Sequence, residues 1–204
     1  IENVKKIDQI EHEAVKNLLK YHKINRGLEI HYDGDLPARS GMGSSSCFTV
    51  GLMKALNTLD KKSITNFQLA KKAIYFEQKI MDETVGSQDQ IAASVGGFNK
   101  IIFKKKDKFE IKKISKKKNI KKLEKNLVLI YTGINRTAHK IASGYASKLS
   151  TTKKNYIQKM CEHVTEGEKL LNSGDIDDFG RLLNHAWDLK KKLSNAISNT
   201  RIDD

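Results

Sequence analysis

The residues with the clearest capacity for chemistry form one run, Pro37-Ala38-Arg39-Ser40-Gly41-Met42-Gly43-Ser44-Ser45-Ser46, which contains the only proline of the chain. Glycines at 41 and 43 let backbone N–H groups approach a ligand closely, and the serines add hydroxyl donors. A helix starting at these serines would aim the positive end of its dipole at whatever binds, so phosphate is the natural guest. The run is not a Walker A loop, because no lysine follows the second glycine, and Ser46 stands where a dinucleotide fingerprint needs its third glycine. Residue types alone suit a phosphate cradle and a plain capped helix after a glycine turn equally well.

Other reactive types are less organised. Arg39 and Arg136 could grip phosphate oxygens bidentately or simply be solvated. Thr132-Gly133 reads as a turn at a strand end. Cys47 and Cys161 show neither a Cys-x-x-Cys pair nor a Cys/His spacing, so they are expected to be free, partly buried thiols. The six histidines show no metal-ligand spacing.

The elements that must position these groups follow from hydrophobic periodicity. Ile7, Ile10, Ala14, Leu18 and Leu19 predict a first helix, and Leu28 to Tyr32 alternates like a half-buried strand. Phe48, Leu52, Ala55, Leu56 and Leu59 predict a helix that Ser44 or Ser45 could cap. A further helix is expected from about Asn66 to Met81, and a short one between Gly86 and Gly96-Gly97. Strands are expected at Phe98 to Phe103 and Leu127 to Tyr131, then helices at Thr137 to Leu149, Lys153 to Leu171 and Ile176 to Ile197, with Trp187 in the core. The pattern is α+β, with strands early and helices late.

Composition narrows the class. The chain has 204 residues, 38% hydrophobic and 30% charged, enough for a real core and outside the collagen-like or Pro-rich disordered classes. The longest wholly apolar stretch, Leu127 to Tyr131, is far below the roughly 20 residues that span a bilayer, and nothing resembles a signal peptide, so a soluble, cytoplasmic chain without a membrane partner is expected. The net charge of +14 would suit nucleic acid, but 12 lysines against three acids between Lys104 and Lys125 supply +9 of it. Those lysines alternate with single apolar residues and not with base-stacking aromatics. A solvated hairpin or loop face is the expectation, and a basic anion- or nucleic-acid-binding stripe the alternative.

The run from Pro37 to Ser46 closely resembles the second motif of the GHMP kinases, Pro-x-x-x-Gly-Leu-Gly-Ser-Ser-Ala, with Met42 and Ser46 as mild departures. Glu77, then Val85-Gly86-Ser87-Gln88-Asp89-Gln90, then Gly96-Gly97-Phe98-Asn99 resemble in order and spacing the later motifs of its sugar-kinase members. Together with Tyr131-Thr132-Gly133-Ile134-Asn135-Arg136, the wording is most similar to the branch acting on D-glycero-D-manno-heptose 7-phosphate. Fucokinase-like or galactokinase-like members are the nearest alternatives.

That resemblance implies a ribosomal protein S5 domain 2-like N-terminal portion followed by a helix-rich C-terminal portion. Residues 1–125 would be part of the ATP-binding domain and 126–204 part of the helical one. It implies ATP and Mg2+, with a sugar phosphate as the other small-molecule partner and no nucleic acid. ATP would meet Pro37, Arg39, Ser40, Gly41, Met42, Gly43, Ser44, Ser45 and Ser46. Ser45 and Glu77 would hold the metal, and Asp89 would be the general base. Gly86, Gln88, Thr132, Gly133 and Arg136 are the candidates on the substrate side. The family's first and third glycine-rich motifs have no counterpart, so the sequence is expected to be the central portion of a longer kinase.

Overall fold

The computed structural model describes residues 1–35, 40–105, 107–114, 116–134 and 151–203. Pro37, Arg39, Arg136 and the helix expected at Thr137 to Leu149 lie outside the described residues. The chain divides into two compact units, one formed by residues 1–96 and the other by residues 97–133 with the C-terminal stretch. Residues 97–125 therefore cluster with the second unit.

The first unit is helical. The first expected helix is broken into a 3-10 turn, Ile7–Gln9, and α1, Glu13–Tyr21. The cause is local competition for N–H groups. The Glu2 carboxylate accepts from the backbone of Glu11 at 2.7 Å and His12 at 3.1 Å, and the His12 ring then accepts from Val15 N–H as the cap of α1. α2 spans Ser44–Leu59 and α3 Asn66–Tyr75. Thr65 starts α3 with a capping box: its hydroxyl accepts from Gln68 N–H and the Gln68 side chain accepts from Thr65 N–H. The helix expected to run to Met81 instead changes pitch after Tyr75 into a π-helical turn, Phe76–Ile80, closed by Met81 N–H to Phe76 O at 2.9 Å. α4 spans Gln88–Val95. Leu18, Met53, Leu56, Leu69, Ala73 and Phe76 make one core to which α1, α2 and α3 all contribute, and Ile91 of α4 is likewise fully buried.

Leu28 to Tyr32, expected to be a strand, carries no ladder; the sheet among the described residues is a single two-stranded one further along the chain. A strand exists through its cross-strand bonds, and alternation alone does not supply them. This segment runs extended, with Tyr32 edge-on to Phe48 of α2 at 5.0 Å.

In the second unit, β1 (Asn99–Phe103) and β2 (Phe109–Lys113) form an antiparallel hairpin in which Ile101 faces Ile111. α5 covers Lys117–Glu124, α6 Lys154–Ser173 and α7 Ile176–Lys191, with a last short turn at Thr200–Asp203. Leu123, Leu171 and Ile176 pack together beneath Phe179. α7 stops six residues short of the expected Ile197, although Leu193 and Ile197 are still buried. Trp187 is half-buried under Lys191, not fully in the core. Leu127 to Tyr131, the second expected strand, is also unpaired, and Val128 and Ile130 are 85% and 77% exposed.

The lysine-rich segment becomes a hairpin and a helix. Part of its charge has structural work: Lys116 and Lys122 donate to the carbonyls of Asn172 and Gly174 at the C-terminal end of α6. Lys100 pairs with Glu168 at 2.5 Å. Cys47 and Cys161 are free as expected but exposed, not partly buried. Among the described residues, no helix is long and apolar enough to cross a membrane.

Candidate active site

The described part of the glycine-serine run, Ser40 to Ser46, turns directly into α2. Gly43 is the N-cap, with φ +74°, and no side chain caps the helix, contrary to the expected role of Ser44 or Ser45. The left-handed backbone explains this: only the residue preceding the helix can hold that conformation, and here it is a glycine with no side chain to offer. Gly41 is also left-handed, at φ +81°. The first turn of α2 thus keeps its orphan N–H donors for an outside acceptor. Ser40 Oγ, buried and without a hydrogen-bond partner, is a further unspent donor in the same loop. A phosphate suits this cradle on all three counts.

Asp89 stands on the first turn of α4 and is exposed. A Cβ placed on Gly43 would lie 3.3 Å from both its Cγ and Oδ2. The cradle and this carboxylate therefore occupy one locus, with the hydrogen of Gly43 as the spacer. Gln78 secures the approach to α4 by donating to Val85 O at 3.0 Å and Ser87 Oγ at 3.2 Å.

Glu77, on the π-helical turn, is 2% exposed. Its Oε2 accepts from Ser46 Oγ at 2.9 Å and from the Gln90 amide, while Oε1 has no hydrogen-bond partner. Burial pushes the Glu77 carboxyl above its ordinary range; the polar groups of Gln90, Ser46 and, nearby, Thr49 pull the other way, and Glu83 adds a smaller upward push. A buried carboxylate oxygen without a donor is costly, and a hard cation satisfies it. Among the described residues no group of three or more His, Cys, Asp or Glu could cage a metal. One carboxylate beside a phosphate cradle instead suits Mg2+, which keeps waters and shares its coordination with substrate phosphates.

The structure thus brings Gly43 against Asp89 and Ser46 against Glu77. Ser45, paired with Glu77 in the sequence reading, is exposed, and the hydroxyl that reaches Glu77 is that of Ser46. Met42 is exposed, Gly86 lies exposed on the approach to α4, and Gln88 is exposed as the first residue of that helix. Thr132 and Gly133 belong to the second unit. Gln90 was not singled out as a site residue. Its signal was available: Gln90 sits beside Ile91 on the inner face of α4, Glu77 follows Leu69, Ala70, Ala73 and Phe76 on the inner face of the α3 segment, and Ser46 precedes Thr49, Val50 and Met53 on that of α2. Each is a polar residue in an apolar stripe.

The GHMP kinases N terminal domain matches residues 9–97, nearly the span of the first compact unit. The D-glycero-alpha-D-manno-heptose 7-phosphate kinase of Campylobacter jejuni is 28% identical over 178 residues, 86% of this chain and 52% of that protein. The galactokinase of Pyrococcus furiosus is 27% identical over 191 residues, 80% of this chain and 53% of that protein. Among solved structures, a D-glycero-D-manno-heptose 1-phosphate kinase from Bacteriodes thetaiotaomicron superposes with a TM-score of 0.71 at 25% identity, over 88% of this chain and 53% of its own. This chain spans about half the length of these relatives. The α+β architecture expected from the sequence is the one observed, helix-rich with a small sheet.

Proposed function

We propose, from the match of the GHMP kinases N terminal domain to residues 9–97, that the chain carries the phosphate cradle and catalytic carboxylates of an ATP- and Mg2+-dependent sugar kinase. The acceptor in this reading is D-glycero-D-manno-heptose 7-phosphate and the product its 1,7-bisphosphate. The observation that carries the proposal is the contact of Gly43 with Asp89, which sets a phosphate-binding helix start beside a carboxylate free to act as a base.

In this reading the first unit is part of the ATP-binding portion and the second part of the helix-rich portion. Backbone N–H groups from Gly41 to Ser45 bind the phosphates, with Ser40, Ser44 and Ser46 lining the cradle. Asp89 takes the proton from the anomeric hydroxyl, whose oxygen attacks the γ-phosphorus as the bond to ADP breaks. Ser45 and Glu77 would hold the magnesium ion, which when bound neutralises charge on the phosphate oxygens. Gly86, Gln88, Thr132, Gly133 and Arg136 are proposed for the sugar side. The reaction draws on cytoplasmic ATP and sugar phosphate and needs no nucleic acid.

Similarity to the Campylobacter jejuni enzyme supports the heptose phosphate; the comparable identity to a galactokinase supports an unphosphorylated hexose as the second reading. Competing turnover assays on the full-length protein separate them. A site built around the 7-phosphate should favour it over galactose or fucose by about 100-fold in kcat/KM, on the order of 3 kcal/mol. Equal or better turnover of galactose or fucose would leave the kinase reading standing and remove the heptose assignment. No phosphoryl transfer to any sugar would remove both.

A further inference from the structure

Three helical segments of the first unit each send one polar side chain to a single buried point. Ser46 comes from α2, Glu77 from the π-helical turn after α3 and Gln90 from α4, and they are 6%, 2% and 1% exposed. Both donors converge on the same oxygen: Ser46 Oγ and Gln90 Nε2 each bond Glu77 Oε2. The orientation of the amide is fixed by chemistry, because an ionised carboxylate only accepts and must face the nitrogen. The Gln90 carbonyl oxygen is thereby turned away, and it too is buried without a partner, as is Glu77 Oε1.

This distribution is not what a purely structural polar cluster needs. A cluster that served only packing would share its donors between the two carboxylate oxygens, or be replaced by apolar residues at no loss. Here two donors are spent on one oxygen and the other is left bare at the meeting point of three helices. Ser46 is also one residue along from Ser45, the serine assigned to the metal.

We infer that Ser46 and Gln90 are positioning residues. They bracket Oε2 and lock the Glu77 side chain, so that Oε1 is presented as the single free anionic acceptor for the divalent cation of the nucleotide. The inference rests on the proposed role of Glu77 toward Mg2+ and adds two residues to it. Neither residue need touch the metal. Their effect is to remove the rotamer freedom that binding would otherwise cost, as outer groups around metal ligands do.

The test is titration of Mn2+ into the full-length protein with a non-hydrolysable ATP analogue, followed by electron paramagnetic resonance. S46A and Q90M should each weaken Mn2+ binding by about 10-fold or more, in the range for lost outer-shell partners. Nucleotide affinity of Q90M measured in EDTA should not change. In steady-state assays of Q90M the magnesium concentration for half-maximal rate should rise while kcat at saturating magnesium is retained, a split that loss of packing alone does not produce.

E77Q separates the inference from its premise. If E77Q binds Mn2+ like wild type, the metal role of Glu77 fails. If E77Q loses Mn2+ while S46A and Q90M, both folded, bind it with wild-type affinity, the bracket alone is overturned. S46A removes one oxygen atom and is decisive by itself if Q90M does not fold. Collapse of both, seen as lost helical circular dichroism, would also overturn the inference, since the pair would then serve the fold.

Discussion

Gly43 and Asp89 are in such close register that the missing side chain of the first is what makes room for the carboxylate of the second. The positive φ of Gly43 and the 3.3 Å clearance from Asp89 are separate constraints, one on backbone and one on space.

Gly43→Val should therefore fail twice. A β-branched residue at φ +74° is strained by about 1–2 kcal/mol, and its side chain would displace Asp89 and fill the space proposed for phosphate oxygens. Nucleotide affinity measured by calorimetry should drop at least about 10-fold, equivalent to ~1.4 kcal/mol. Unchanged affinity would remove the phosphate role of the loop.

Gly51→Ala, eight residues along the same helix, should do the reverse. A Cβ there meets nothing within 4 Å, and the residue is interior to α2. Stability should rise by about 0.5–1 kcal/mol in a urea melt, with nucleotide binding unaltered.

Asp89→Asn should leave ATP binding nearly intact and lower kcat by about 10²–10⁴-fold, the usual contribution of a general base. Full turnover at saturating substrate would dismiss Asp89 as the base.

Glu77 gives the first unit a pH dependence of defined sign. Its carboxyl is raised by burial above the 4.5 of an ordinary glutamate, so below that value both folded and unfolded chains hold the proton. As pH rises, the unfolded chain releases it first and the folded chain loses the stability it had, until the raised folded value is passed. In EDTA, urea melts from about pH 4 to about pH 8 should show this fall for wild type. Glu77→Gln, which cannot ionise, should be free of it and more stable than wild type at neutral pH. Parallel profiles for the two proteins would show that the Glu77 carboxyl titrates alike in the folded and unfolded chains.

The helices around the site were legible because each carries an apolar stripe at helical spacing: Val50, Met53 and Leu56 in α2, Leu69, Ala73 and Phe76 through α3, Ile91 in α4. The loop was legible because glycine has few other reasons to recur at 41 and 43. The pairing inside the core was not. That Ser46, and not Ser45, reaches Glu77 depends on how α2 is rotated against α3, which spacing along one helix does not encode. The break between Ile7–Gln9 and α1 was hidden for a similar reason, since it depends on the Glu2 carboxylate reaching back from nine residues away. Leu28 to Tyr32 and Leu127 to Tyr131 read as strands because alternation reports which faces are apolar, whereas a strand also requires a neighbour.

A cation held at the bare oxygen of Glu77, as proposed, would tie occupancy to folding by mass action. That oxygen exists as a site only while α2, α3 and α4 are assembled, so a cation taken up there binds the native chain and not the unfolded one. Stability then grows as RT ln(1 + [L]/Kd), about 2.7 kcal/mol at a hundredfold excess over Kd. That is a sizeable share of what holds a domain of this size together. The free cation level around the protein would thus set its lifetime against proteolysis, and starvation for the metal would be felt first as a shortage of folded molecules.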